Sequence, residues 1–168
     1  MSDFMLRVIK RKLEKLRYHL ARQRYKSQQN GTVLDWAWGS EAYNRIAIVN
    51  FLLAHTTKGK GKYLEIGCQS NVMFHSISTP FKIGVDPVSG GTHQMTSDAF
   101  FSQSDERFDV VFVDGLHEYA QVNRDLKNSL TALNVGGWVA LHDTLPRSWE
   151  EQHVPRVSKI WTGDCWKV

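Results

Sequence analysis

Four short apolar runs in this chain lead into an acid or a histidine. "YLEIG" (63–67) carries Glu65 and Gly67, and "FKIGV" (81–85) is followed by Asp86 and Pro87. "FDVVFV" (108–113) leads into Asp114 and His117, and "GWVALH" (137–142) ends at His142 before Asp143 and Thr144. Carboxylates and imidazoles hold hydroxyls, take divalent cations and move protons near neutral pH. Asp86 lies 21 residues after Glu65. An acid at that interval can accept both hydroxyls of a ribose. The plainer reading is a turn acid before Pro87. Gly67 lets a ligand approach the backbone closely. The loop is not GxGxxG, since Gln69 and Asn71 follow. A diphosphate cradle is therefore not expected. The pattern points to a nucleoside ligand and away from NAD or FAD.

These residues converge only if the runs are neighbouring parallel strands. Each run is short, rich in Val, Ile and aromatics, and separated from the next by helical or loop sequence. That is the signature of parallel strands buried on both faces. Between the last two, Val122, Leu126, Leu130 and Leu133 predict one apolar side of a helix that "NVGG" closes. The prediction is an α/β fold with a doubly wound, mostly parallel sheet, whose ligands lie beyond the strands' carboxyl ends. Upstream, residues 41–55 predict a helix capped by Ser40, with Ile46, Val49, Leu52 and Leu53 buried. Trp36 and Trp38 flank Asp35 and either pack the N-terminal segment or cover a ring of the ligand.

The 168-residue length suits one domain with its own core. We divide it into a basic helical extension, residues 1–30, and a domain, residues 31–168. The net charge of +4 is uneven: residues 1–30 hold nine Lys/Arg against two acids, while the rest holds twelve against fifteen. The core is therefore acidic, which argues against nucleic acid as a partner. In the extension, Leu6, Ile9, Leu13, Leu16 and Leu20 form one stripe of a helix spanning 4–26. The stripe packs either on its own domain, on a sister chain, or on an anionic membrane surface. No apolar run is long enough to span a bilayer, and no secretory signal pattern is present. Cys68 and Cys165 lack metal-ligand spacing and read as reduced thiols of a cytoplasmic protein.

Together, "YLEIG", "FKIGVDP", "TSDAFF", "FDVVFVDGLHEY" and "NSLTALNVGGWVALHDT" resemble the class I S-adenosylmethionine-dependent methyltransferases, with their Rossmann-like fold. The resemblance covers roughly residues 60–145 and is nearest to the small-molecule and sugar O-methyltransferase branch associated with glycan biosynthesis. It implies that Glu65, Gly67 and Cys68 belong to the cofactor loop and that Asp86 holds the ribose. It sets Asp98 near the adenine, with Ala99 and Phe100 beside it, and turns Asp114 toward the methionine end or a metal. Glu65 is expected to stay charged, organising the loop and attracting the amine end of the cofactor.

Methyl transfer to a hydroxyl needs an aligned oxygen and help in removing its proton. His117 is the candidate base, alongside Asp114 and His142. Asp114 and Asp143, with His142 or Thr144, are candidate oxygen and nitrogen ligands for Mg²⁺. His142 stands where some relatives carry a second acid. The family core has seven strands, yet 24 residues follow Thr144. A C-terminal strand pair is therefore expected to be missing. The exposed edge would then need covering by a second copy of the chain or by the N-terminal helix. Trp149, Trp161 and Trp166 are expected near an acceptor lid. The other function class consistent with these features is a catalytically weak methyltransferase-like protein that binds cofactor or a partner.

Overall fold

The computed structural model describes residues 3–28 and 44–168. Trp36, Trp38, Asp35 and Ser40 lie outside them. Helix α1 runs Asp3–Tyr25 and tightens into a 3₁₀ turn, Lys26–Gln28. Helix α2 runs Arg45–Thr57, opened by Asn44, whose side chain accepts from the Ala47 N–H at 3.0 Å. It ends at Lys58, whose positive φ of 55° turns the chain out of the helix.

Strand β1 (Tyr63–Ile66), helix α3 (Val72–Ser76), strand β2 (Lys82–Val85), helix α4 (Ser97–Gln103), strand β3 (Phe108–Val113), helix α5 (Tyr119–Thr131) and strand β4 (Leu133–Leu141) follow. The sheet order is β2-β1-β3-β4, and every pairing is parallel. A short helix α6 (Trp149–Gln152) and a 3₁₀ turn (Cys165–Lys167) complete the described chain.

Alternation along β1 and β3 builds two cores. Tyr63, Val110 and Phe112 face Val49 and Leu53 of α2 and Met73 and Phe74 of α3. Leu64, Ile66, Val111 and Val113 face Phe100 of α4 and Val122 of α5. Helices therefore cover both faces, as a doubly wound sheet requires. Each fully buried Val or Leu here contributes roughly 1.5–3 kcal/mol.

Several local expectations are corrected. The buried side of α5 is Val122, Asp125 and Ser129, while Leu130 is exposed. Strand β4 begins at Leu133 rather than at Gly137, because Leu133 already pairs with Phe108 before an irregularity, after which the ladder resumes at Val110 and Trp138. The α1 stripe does not pack on its own domain, since Leu6, Ile9, Leu13, Leu16 and Leu20 are all exposed. It therefore does not cover the β4 edge, where Val135 is fully exposed and Trp138 half-exposed. What α1 turns toward the molecule is the side carrying Tyr18, Ala21 and Tyr25, its three partly buried residues. Arg156 lies over the Tyr18 ring and His153 against Tyr25.

Candidate active site

A parallel sheet delivers all its carboxyl ends to one rim, and a cavity of about 790 Å³ opens there. Its walls include Gly67 after β1, Asp86 after β2, Asp98 on α4, Asp114 and His117 after β3, and His142 and Asp143 after β4. Glu65, Cys68 and Ala99 are not among its walls. Glu65 points beneath them, 1% exposed, and accepts a hydrogen bond from the Tyr63 hydroxyl at 2.7 Å. Cys68 is buried toward α3, and its thiol contacts the Glu65 carbonyl at 3.7 Å. Burial pushes Glu65 up to about 7 and Cys68 up to about 12.

The loop after β1 is held to the loop after β2. Asp86 Oδ2 accepts from the Gln69 N–H, and Oδ1 from the Val88 and Ser89 N–H groups, at 2.8–2.9 Å. Burial alone would raise the Asp86 pKa, but these backbone donors hold it below the usual carboxylate range. A carboxylate offers about four lone-pair sites, so three backbone bonds leave room for a ligand donor. Asn71 Oδ1 accepts from the Gly91 N–H at 2.7 Å, tying the loops again. Gly67 sits at φ 89°, and a Cβ there would collide with the Asp114 carbonyl, so glycine is required.

Asp98 receives Arg124 and Gln121 from α5 at 3.3–3.4 Å. Beneath it, Asp125 is 1% exposed and accepts from Ser97 at 2.6 Å and Gln121 at 3.0 Å. Burial raises its pKa.

Asp114 is the hub of the opposite half. Arg45, the first residue of α2, donates to its Oδ2 at 3.0 Å. His142 Nδ1 lies 2.9 Å and His117 Nε2 3.3 Å from its Oδ1. His142 Nδ1 is also 3.2 Å from Asp143, yet neither contact has the alignment of a hydrogen bond. His117 Nδ1 faces the Trp161 carbonyl at 3.0 Å and Asp143 Oδ2 at 3.3 Å. Burial would raise Asp114, but the two imidazoles and Arg45 bring it down to about 2. Burial would lower the histidines, but the carboxylates more than reverse it: His117 is raised and His142 is raised to about 9. The carboxylates thus favour the charged form of both imidazoles. Asp143 sits at φ 54°, a strained backbone that aims its carboxylate into the cluster.

Donor atoms of Asp114, His117 and Asp143 lie within 4.8 Å of one another, close enough to share one ion. Trp161 stacks on His117, with ring centroids 5.8 Å apart and planes 19° off parallel, which places the C-terminal segment against the site. Sequence reading missed Arg45, Asp125 and Gln121. Asp125 carried a signal, an acid on the apolar side of a helix beside Val122. Arg45 carried none, because its role depends on where α2 begins.

No curated protein matches the chain. One similar solved structure is the X-ray structure of the sugar N-methyltransferase KedS8 from Streptoalloteichus sp ATCC 53650, with 17% identity and a TM-score of 0.46. The alignment covers 67% of this chain and 54% of that one, so the chain spans about half the length of that structure. The methyltransferase-domain family matches residues 48–144, a stretch running from α2 through Thr144 and containing every strand of the sheet. With more than half its length matched, the chain belongs to the methyltransferase-domain family, within the class I S-adenosylmethionine-dependent methyltransferases.

Proposed function

We propose that the chain is an O-methyltransferase that uses S-adenosylmethionine to methylate a saccharide or other small hydroxylated acceptor. The observation that carries this reading is the shared cavity: Asp86, Asp98 and Asp114 line one hollow, with two imidazoles beside them. The residues fit the cofactor. Asp86 keeps acceptor capacity for a ribose hydroxyl, Gly67 leaves the floor open, and Asp98 stands where an exocyclic amine would find an acceptor. Bound there, S-adenosylmethionine supplies a methyl group already activated on a sulfonium. The chain's task is then to orient the acceptor oxygen and take its proton.

His117, on the cavity wall with Nε2 3.3 Å from Asp114 Oδ1, is the group for that proton once this contact opens. Only the neutral ring can take that proton, and the surrounding carboxylates raise the His117 pKa, so turnover is expected to rise with pH as His117 is deprotonated. Asp114 and Asp143 also offer oxygen ligands to a divalent cation of the Mg²⁺ type, which would supply Lewis-acid polarisation of the acceptor oxygen. We further propose a cytoplasmic setting, supported by two buried unpaired thiols, and a second copy of the chain on the open β4 edge.

One observation favours a second reading, a catalytically weak cofactor- or partner-binding protein: in the resting cluster both nitrogens of His117 face oxygen acceptors, which leaves the candidate base no free lone pair. Calorimetry with S-adenosylhomocysteine and methyl transfer to a glycan panel separate the two. Asp86→Ala should lose binding more than tenfold. His117→Ala should bind normally and lose turnover. Normal behaviour of both variants would remove the assignment. Tight binding without turnover at any pH from 6 to 10 would establish the second reading.

A further inference from the structure

Helix α1 meets the rest of the molecule with the wrong side for a core-packing helix. Tyr18, Ala21 and Tyr25, spaced three and four apart, share one side, and the two tyrosines meet Arg156 and His153 of the C-terminal segment. At 100° per residue, Leu6, Ile9, Leu13, Leu16 and Leu20 lie on the far side. They are 44%, 41%, 60%, 53% and 59% exposed, and no residue of α1 is buried. The helix is thus fastened by its tyrosines with its leucines turned outward.

Charge decides what covers that stripe. Lys10, Lys12 and Arg17 flank it by the same periodicity, within a segment of nine Lys/Arg and two acids. A second α1 laid on the stripe would bring these cations against their own copies, the reverse of the paired charges that flank a coiled-coil seam. An anionic bilayer offers both complements at once, apolar acyl chains for the leucines and phosphate or carboxylate headgroups for the flanks. No described helix is long and apolar enough to cross a membrane, so the contact is interfacial. The rest of the chain carries a net negative charge, so attraction to anionic lipid is confined to this segment. We propose that α1 is a peripheral anchor, docking the protein on an anionic lipid surface with its leucine stripe in the interface and its tyrosine side holding the domain. This reading is independent of the acceptor and of turnover.

The test is co-sedimentation of the full chain with vesicles of pure phosphatidylcholine and of phosphatidylcholine with 30% phosphatidylserine, roughly the anionic range in which polybasic segments respond. Binding to the anionic vesicles only is expected. It should fall at least tenfold in Leu13→Glu/Leu16→Glu, an exposed pair whose folding circular dichroism can confirm. Lys10→Gln/Lys12→Gln/Arg17→Gln keeps the stripe and should also lose the preference for phosphatidylserine. Absence of binding to either vesicle would overturn the proposal. So would undiminished binding by the glutamate variant, which would leave charge alone as the cause. A dimer in light scattering that the glutamate variant dissolves would overturn it too, assigning the stripe to a second copy.

Discussion

Glu65 lies in the middle of a hydrophobic sheet, its carboxyl held by the Tyr63 hydroxyl. Burial pushes its pKa up to about 7, the tyrosine pulls it back in part, and the Asp114 charge adds to the rise. Because the folded value lies above the ordinary 4.5, its contribution to stability is full below about 4.5 and is lost as pH rises through about 7. Glu65→Gln keeps the acceptor for Tyr63 and removes the titration. The wild type should therefore lose roughly 2–3 kcal/mol relative to Glu65→Gln between pH 4.5 and 8, read from urea midpoints. Parallel curves would show that the carboxyl is not held in this environment. Strand-end acids were legible because few other placements explain a charge beside an apolar run. The difference between Glu65, beneath the cavity, and Asp86, on its wall, was not. It depends on which side of the pleat each residue falls, and β1 is apolar on both.

The elements were legible where composition is strong. The starts of β1 and β3 fall where Tyr63 and Phe108 open their apolar runs. The α5 stripe misled because Leu130 is a helix former that faces out, while Asp125 and Ser129 face inward, Asp125 accepting from Ser97 on α4. The C-terminal segment gave the least warning. It seats Trp161 on His117 and presses Gly163, at φ 59°, against the His117 carbonyl, where a Cβ would collide with backbone. Gly163→Ala should cost about 3 kcal/mol or more. Gly59→Ala is the control, with a similar φ of 76° but open space around it, and should cost about 1 kcal/mol. Equal losses in urea unfolding would mean that the segment does not press on His117.

At the scale of the whole molecule, α1 adds charge and exposed leucines but no buried residue. A chain lacking residues 1–28 should melt within about 2 °C of the full chain, since a helix with three partly buried residues and none fully buried contributes little. The second copy proposed on the β4 edge predicts that its mass by light scattering is still twice that of one shortened chain, because that edge is unchanged. A melting point lower by ten degrees, or a monomer, would tie the extension into the fold and count against separating residues 1–30 from 31–168. The all-parallel sheet has one more consequence. Strands that all run one way have a working rim and an idle one, and here the idle rim carries the chain turn at Gly59, with nothing within 4 Å of an added Cβ. Dyes, tags or inserted loops placed there would ride on the protein a full strand length from its chemistry.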